Sequence, residues 1–119
     1  MKAIIYHNPR CSKSRQTLTL LQERGVDVEI VEYLKEPLDV ASLRALMQAL
    51  GKPPRDAIRR GEAAFTELGL TTKLDDDDAL LAAIAAQPVL LERPIVVVGR
   101  RAALGRPPEN VLALLEERA

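Results

Sequence analysis

The 119 residues hold a single cysteine, Cys11, and a single histidine, His7, so the side chains that most often bind transition metals are almost absent. One cysteine cannot close an internal disulfide, so a disulfide scaffold is excluded and nothing else points to secretion. A lone cysteine with a lone histidine makes no credible metal site, and no glycine-rich phosphate loop occurs. No run approaches the ~20 apolar residues that span a bilayer. The opening Met1-Lys2-Ala3-Ile4-Ile5-Tyr6 lacks the small-residue cleavage site of a signal peptide and reads as a strand. Net charge is missing too: 17 basic and 17 acidic side chains cancel. The total therefore lends no support to a nucleic-acid or membrane-surface role. A reducing cytoplasm, a monomer, and no bound metal or cofactor are the resulting expectations.

What is present describes an ordinary globular chain, 47% apolar and 29% charged, of a length that suits one domain over 1–119. Its charge is unevenly placed. Residues 1–22 carry Lys2, Arg10, Lys13 and Arg15 with no acid, and residues 93–106 carry Arg93, Arg100, Arg101 and Arg106 with no acid. Asp75 to Asp78 form a compact acidic run between them. Two local basic zones in a neutral chain suit a small anion better than a long polyanion.

The pattern along the chain predicts a strand over 2–6, a loop over 7–11 and a helix from Ser12 to Arg24, stopped by Gly25. Val26 to Tyr33 alternates Val26, Val28 and Ile30 against Asp27 and Glu29, a second strand. Asp39 caps a helix with Leu43, Leu46, Met47 and Leu50 on one face, ended by Gly51. Short helical pieces are expected over 54–60 and 62–68. The aspartates open another helix with Leu80, Leu81 and Ile84 inward. Ile95 to Val98 forms a buried strand, Gly99-Arg100 a turn, and Ala102 to Leu104 its partner. Pro107-Pro108 begins a final helix with Val111, Leu112, Leu114 and Leu115. The order is β-α-β, a helical insert, then β-β-α. That is an α/β, thioredoxin-like arrangement: a mixed central sheet with flanking helices, its first β-α-β unit parallel and right-handed.

Cys11 is the most informative residue. It lies in His7-Asn8-Pro9-Arg10-Cys11-Ser12-Lys13-Ser14-Arg15, between the end of a strand and the start of a helix. A free cysteine is usually an inert core residue. Here the flanks are polar and three effects favour the thiolate. The helix N-terminus offers unpaired N–H groups and partial positive charge; Arg10, Lys13 and Arg15 add positive potential; Ser12 and Ser14 can donate hydrogen bonds to sulfur. A dithiol site needs Cys-x-x-Cys, and the fourth position here is Ser14. An external thiol must therefore resolve any adduct on Cys11. Arginines form the second set: Arg93 before Pro94, Arg106 before Pro107, and Arg59 in the insert. Guanidinium groups bind tetrahedral oxyanions in bidentate fashion and stay charged, and an X-Pro bond such as Arg93-Pro94 is one where the cis form is open. His7, four residues before Cys11, is placed to tune that loop.

These residues resemble the glutaredoxin-linked arsenate reductases. The matching stretches are Ile5 to Arg15, Glu67-Leu68-Gly69-Leu70, Arg93-Pro94-Ile95-Val96-Val97 and Gly105-Arg106-Pro107-Pro108-Glu109, in the family's order and spacing. The resemblance implies that Cys11 attacks arsenate, that glutathione as co-substrate adds to the arsenic ester, and that glutaredoxin removes it so that arsenite leaves. It implies His7 and Ser14 as tuners of the thiolate, and Arg59, Arg93 and Arg106 as ligands of the oxyanion. Arg60 stands beside Arg59 in a stretch that matches more loosely. Two other readings stay open. Stress regulators of the same superfamily bind RNA polymerase, typically through a Cys-x-x-Cys switch that Ser14 removes. A thiol reductase of this fold acting on another oxyanion is the other, since an arginine site is not element-specific.

Overall fold

The structure, a computed structural model, describes residues 1–116; the last three residues of the expected domain lie outside the described residues. The described residues form two compact units, residues 1–36 with 93–116, and Pro37–Glu92. The second is the helical insert read from the sequence.

The first unit carries a four-stranded sheet of order β2-β1-β3-β4, from β1 (Lys2–Tyr6), β2 (Asp27–Val31), β3 (Ile95–Val98) and β4 (Arg101–Leu104). β1 runs parallel to β2 with Ile5 beside Ile30, and antiparallel to β3 with Ile5 beside Val96. The turn at Gly99-Arg100 returns the chain to β4, antiparallel to β3. Helix α1 (Ser12–Glu23) connects β1 to β2, which gives the expected parallel unit. Alternation in β1 puts Ala3 and Ile5 on one face, where they pack with Leu21 of α1, Val96 of β3, and Val111 and Leu114. Each full burial of a side chain such as Ile5 or Leu21 contributes about 1.5–3 kcal/mol.

Two sequence expectations change here. β2 ends at Val31 rather than Tyr33, and Ile30 is 46% exposed. Val26 and Val28 pack on the core as the alternation requires, but β2 is an edge strand of the described sheet, paired with β1 alone. The final helix is a 3-10 helix, Pro108–Leu115, not an α-helix. Its buried residues, Pro108, Val111 and Leu114, recur every third position, the spacing that a three-residue turn stacks on one face.

The insert contains α2 (Val40–Leu50), α3 (Ala63–Glu67) and α4 (Asp77–Ala86), with 3-10 turns between them at Pro54–Asp56 and Leu70–Thr72 and after α4 at Pro88–Leu90. The helical piece expected over 54–60 is thus one short turn, since Ile58 enters a bridge to Leu91. Asp39 accepts the Ser42 N–H at 2.7 Å, and Gly51 closes α2 in the left-handed region at φ 68°. Leu43, Leu46 and Met47 of α2 and Leu80, Leu81 and Ile84 of α4 form its core with Phe65. The acidic run is divided among separate tasks. Asp76 caps α4 through the Ala79 N–H, Asp75 pairs with Arg55 at 2.8 Å, and Asp78 with Arg44 at 2.7 Å.

Candidate active site

The loop between β1 and α1 is a set of short backbone closures. His7 N–H donates to Val31 O, Cys11 N–H to Asn8 O, and Arg10 N–H to Asn8 Oδ1. Arg15 reaches back from α1 to donate to Pro9 O at 2.9 Å. Cys11 becomes the N-cap of α1, in extended geometry, half-buried, with no acid in the first turn behind it. An N-cap position aims unpaired N–H groups at whatever occupies it.

Two arginines act on the sulfur. Arg106 Nη1 lies 3.8 Å from Cys11 Sγ, and the same group donates to Arg93 O at 3.0 Å. The Arg93 side chain also acts on the Cys11 thiol, favouring its charged form. Burial pushes the Cys11 thiol up. The Ser14 N–H, the Arg93 side chain, the Lys13 N–H and the Arg106 side chain together outweigh burial and hold it below its ordinary range. Both residues stand before prolines in cis peptide bonds, Arg93-Pro94 and Arg106-Pro107.

Ser14 and His7 form a buried pair beneath the loop. Ser14 is fully buried and His7 6% exposed; His7 Nδ1 and Ser14 Oγ are 2.6 Å apart, and Asn8 N–H donates to the same oxygen at 3.0 Å. Burial lowers the His7 pKa, with Glu32 opposing and Arg15 reinforcing. The direction of the His7–Ser14 hydrogen bond follows the tautomer of the ring. The Ser14 group that acts on the sulfur is its backbone N–H, while its hydroxyl is shared by His7 and Asn8. Asn8 was not singled out from the sequence, although Asn-Pro before a helix carries the signal of a side chain bonding to nearby backbone.

Arg59 belongs to the second unit. The main chain around it is tied by Arg59 N–H to Leu90 O at 2.7 Å and Glu92 N–H to Ala57 O at 2.8 Å, beside an Ile58–Leu91 bridge. Its guanidinium pairs with Glu62 at 3.1 Å and Glu92 at 2.7 Å. Burial would lower its pKa, but the two carboxylates raise it. Arg60 is exposed and donates to Arg55 O, so the two neighbours have distinct surroundings. Among the described residues no three His, Cys, Asp or Glu side chains gather as a metal site, and no helix is long and apolar enough to cross a membrane.

Residues 6–114 match the ArsC family. The chain belongs to the ArsC family. This ArsC-family chain is 50% identical over 112 residues to a protein named arsenate reductase from Neisseria meningitidis serogroup A, covering 93% of this chain and 96% of that one. It is 49% identical over 112 residues to the Escherichia coli K12 protein named uncharacterized protein YfgD, covering 93% and 94%. Among solved structures it superposes on an arsenate reductase from Vibrio cholerae with a TM-score of 0.92 at 46% identity, covering 96% and 98%. The thioredoxin-like arrangement read from the element order is thus that of its relatives.

Proposed function

We propose that the chain is an arsenate reductase with Cys11 as nucleophile. The observation that carries this reading is the pair of guanidinium groups, Arg93 and Arg106, acting on a half-buried thiol at a helix N-terminus. A thiolate and an arsenate repel each other, and fixed cations offset that repulsion while stabilising charge as the bond forms. The family resemblance gives Arg59, held by Glu62 and Glu92, the role of a third oxyanion ligand, and His7 and Ser14 keep the loop in register.

The chemistry balances with two external thiols. The Cys11 thiolate attacks arsenic and an arsenate oxygen leaves as water once protonated, giving an arsenic(V) thioester. The glutathione thiol displaces a second oxygen as water. A glutaredoxin thiolate then attacks the glutathione sulfur. The S–As bond breaks, its electron pair passes to arsenic, and a mixed disulfide forms. Hydrolysis releases arsenite and regenerates Cys11. Ser14 in place of a second cysteine supports this use of external thiols. A reducing cytoplasm and a monomeric enzyme without bound cofactor complete the proposal.

NADPH consumption with arsenate, glutathione, glutaredoxin and glutathione reductase tests it, with Cys11→Ser as control. Arsenate-dependent turnover that vanishes in the variant is expected. Absence of turnover in the wild type, with Cys11 still readily alkylated near neutral pH, would discard the substrate and redirect attention to other oxyanions or RNA polymerase.

A further inference from the structure

Five of the six glycines have open space where a Cβ would stand; Gly105 has none. A Cβ there would lie 2.6 Å from Thr17 Oγ1, 2.7 Å from Pro94 Cγ and 3.1 Å from Thr17 Cγ2. Neither obstacle is the tip of a flexible chain. Thr17 is a fully buried β-branched residue on α1, with its hydroxyl bonded to Lys13 O at 2.8 Å. Pro94 is a ring, and its carbonyl accepts the Gly105 N–H at 2.9 Å. Thr17 Oγ1 also comes within 3.5 Å of Gly105 O. The main chain at Gly105 is therefore wedged between the helix that Cys11 caps and the strand entry that follows Arg93.

The next residue is Arg106. Its side chain is exposed, yet its Nη1 sits 3.8 Å from Cys11 Sγ and 3.0 Å from Arg93 O. On its far side, Asn110 Nδ2 donates to Arg106 O at 3.1 Å. The main chain is thus fixed both before and after Arg106. An exposed arginine loses much rotamer freedom when it is held on a target, so its aim depends on where its backbone is fixed.

We propose that Gly105, seated on Thr17 and Pro94, is the positioning device that sets the reach of Arg106 to the Cys11 sulfur. Thr17 acts as a spacer by its shape, and Gly105 is needed for its lack of a side chain. Any Cβ at 105 lifts the Arg106 main chain away from α1 and withdraws a cation from the thiol. Loss of Thr17 bulk leaves the same segment without a floor. The inference rests on reading Cys11 as a thiolate nucleophile, and not on arsenate being its substrate.

The test is the rate of Cys11 alkylation by iodoacetamide against pH, which needs no oxyanion. Gly105→Ala is expected to slow alkylation at neutral pH about three- to tenfold, with the profile displaced to higher pH. Adding Arg106→Ala to Gly105→Ala should change little further, since the guanidinium is already withdrawn. Thr17→Ala should move the profile in the same direction, whereas Thr17→Val, which keeps the shape and loses the hydroxyl, should leave it in place. A folded Gly105→Ala protein with the wild-type profile overturns the proposal. So does a full additional Arg106→Ala effect in that background. If Gly105→Ala does not fold, the Thr17 pair decides: equal profiles for Thr17→Ala and Thr17→Val overturn it. Loss of arsenate turnover with these alkylation results intact would count against the substrate alone.

Discussion

Arg106 directs one guanidinium nitrogen at two acceptors, the Cys11 sulfur at 3.8 Å and the Arg93 carbonyl oxygen at 3.0 Å. The carbonyl contact is the shorter and restrains the group, so the charge is held near the sulfur before any substrate arrives. Preorganised charge costs no reorganisation at the moment of reaction.

Replacing Arg106 by alanine should therefore act twice. Cys11 alkylation near neutral pH slows because a stabiliser of the thiolate is gone, and arsenate turnover falls about 10²–10³-fold because a donor to developing charge is gone. Arg106→Lys should recover part of the alkylation rate and less of the turnover, since an ammonium restores charge but not the planar fork. Steady-state kinetics beside alkylation rates check this. Wild-type alkylation in R106A would show that the backbone N–H groups and Arg93 suffice for the thiol.

Ser14→Ala tests the buried pair. The hydroxyl is the partner of both the Asn8 N–H and His7 Nδ1, and alanine leaves two buried polar groups without it. The expected loss is about 1–3 kcal/mol in urea unfolding. Ser12→Ala, at an exposed position, should stay within about 0.5 kcal/mol of the wild type. Equal stabilities for the two variants would mean that water or a shifted loop replaces the Ser14 hydroxyl.

His7 gives a pH dependence of definite sign. Its pKa is lowered in the folded protein, first by burial, with Arg15 assisting and Glu32 opposing. The unfolded chain then binds the proton more readily, at an ordinary value of about 6.5. Its contribution is complete above that value and is lost as pH falls through it toward the folded pKa. Unfolding free energies at several pH values between about 5 and 8 should fall more steeply on acidification in the wild type than in His7→Gln. Parallel curves would place His7 in water-like surroundings and contradict its burial.

Local chemistry made much of this legible beforehand. Cys11 at a strand-to-helix junction, Asp39 as a cap and Gly51 as a stop all follow from residues within one or two turns of each other. The partners of the aspartate run were not legible, because Asp75–Arg55 and Asp78–Arg44 join positions 20 and 34 apart. The Ser14 hydroxyl's partner is hidden for the same reason: it meets His7, seven residues away across the loop, while the Ser14 group that acts on sulfur is its backbone N–H. The terminal 3-10 helix was hidden in a leucine-rich stretch that also fits an α-helix, and only packing against the sheet selects the three-residue repeat.

Arg59 and Arg60 cannot be told apart by composition, yet the structure gives them different predictions. Arg59 is tied through Glu62 and Glu92, each about a quarter exposed, and its own N–H is paired with Leu90. Arg60 lies exposed on the surface. If Arg59 is the third oxyanion ligand, Arg59→Ala lowers turnover about 10²-fold or more with most of the change in the arsenate-dependent terms. Alkylation of Cys11 stays near wild type, because the groups acting on that thiol are Ser14, Arg93, Lys13 and Arg106. Arg60→Ala changes neither. Turnover that survives Arg59→Ala would leave its ion pairs as a tie within the insert, and a loss in Arg60→Ala instead would move the ligand one residue along.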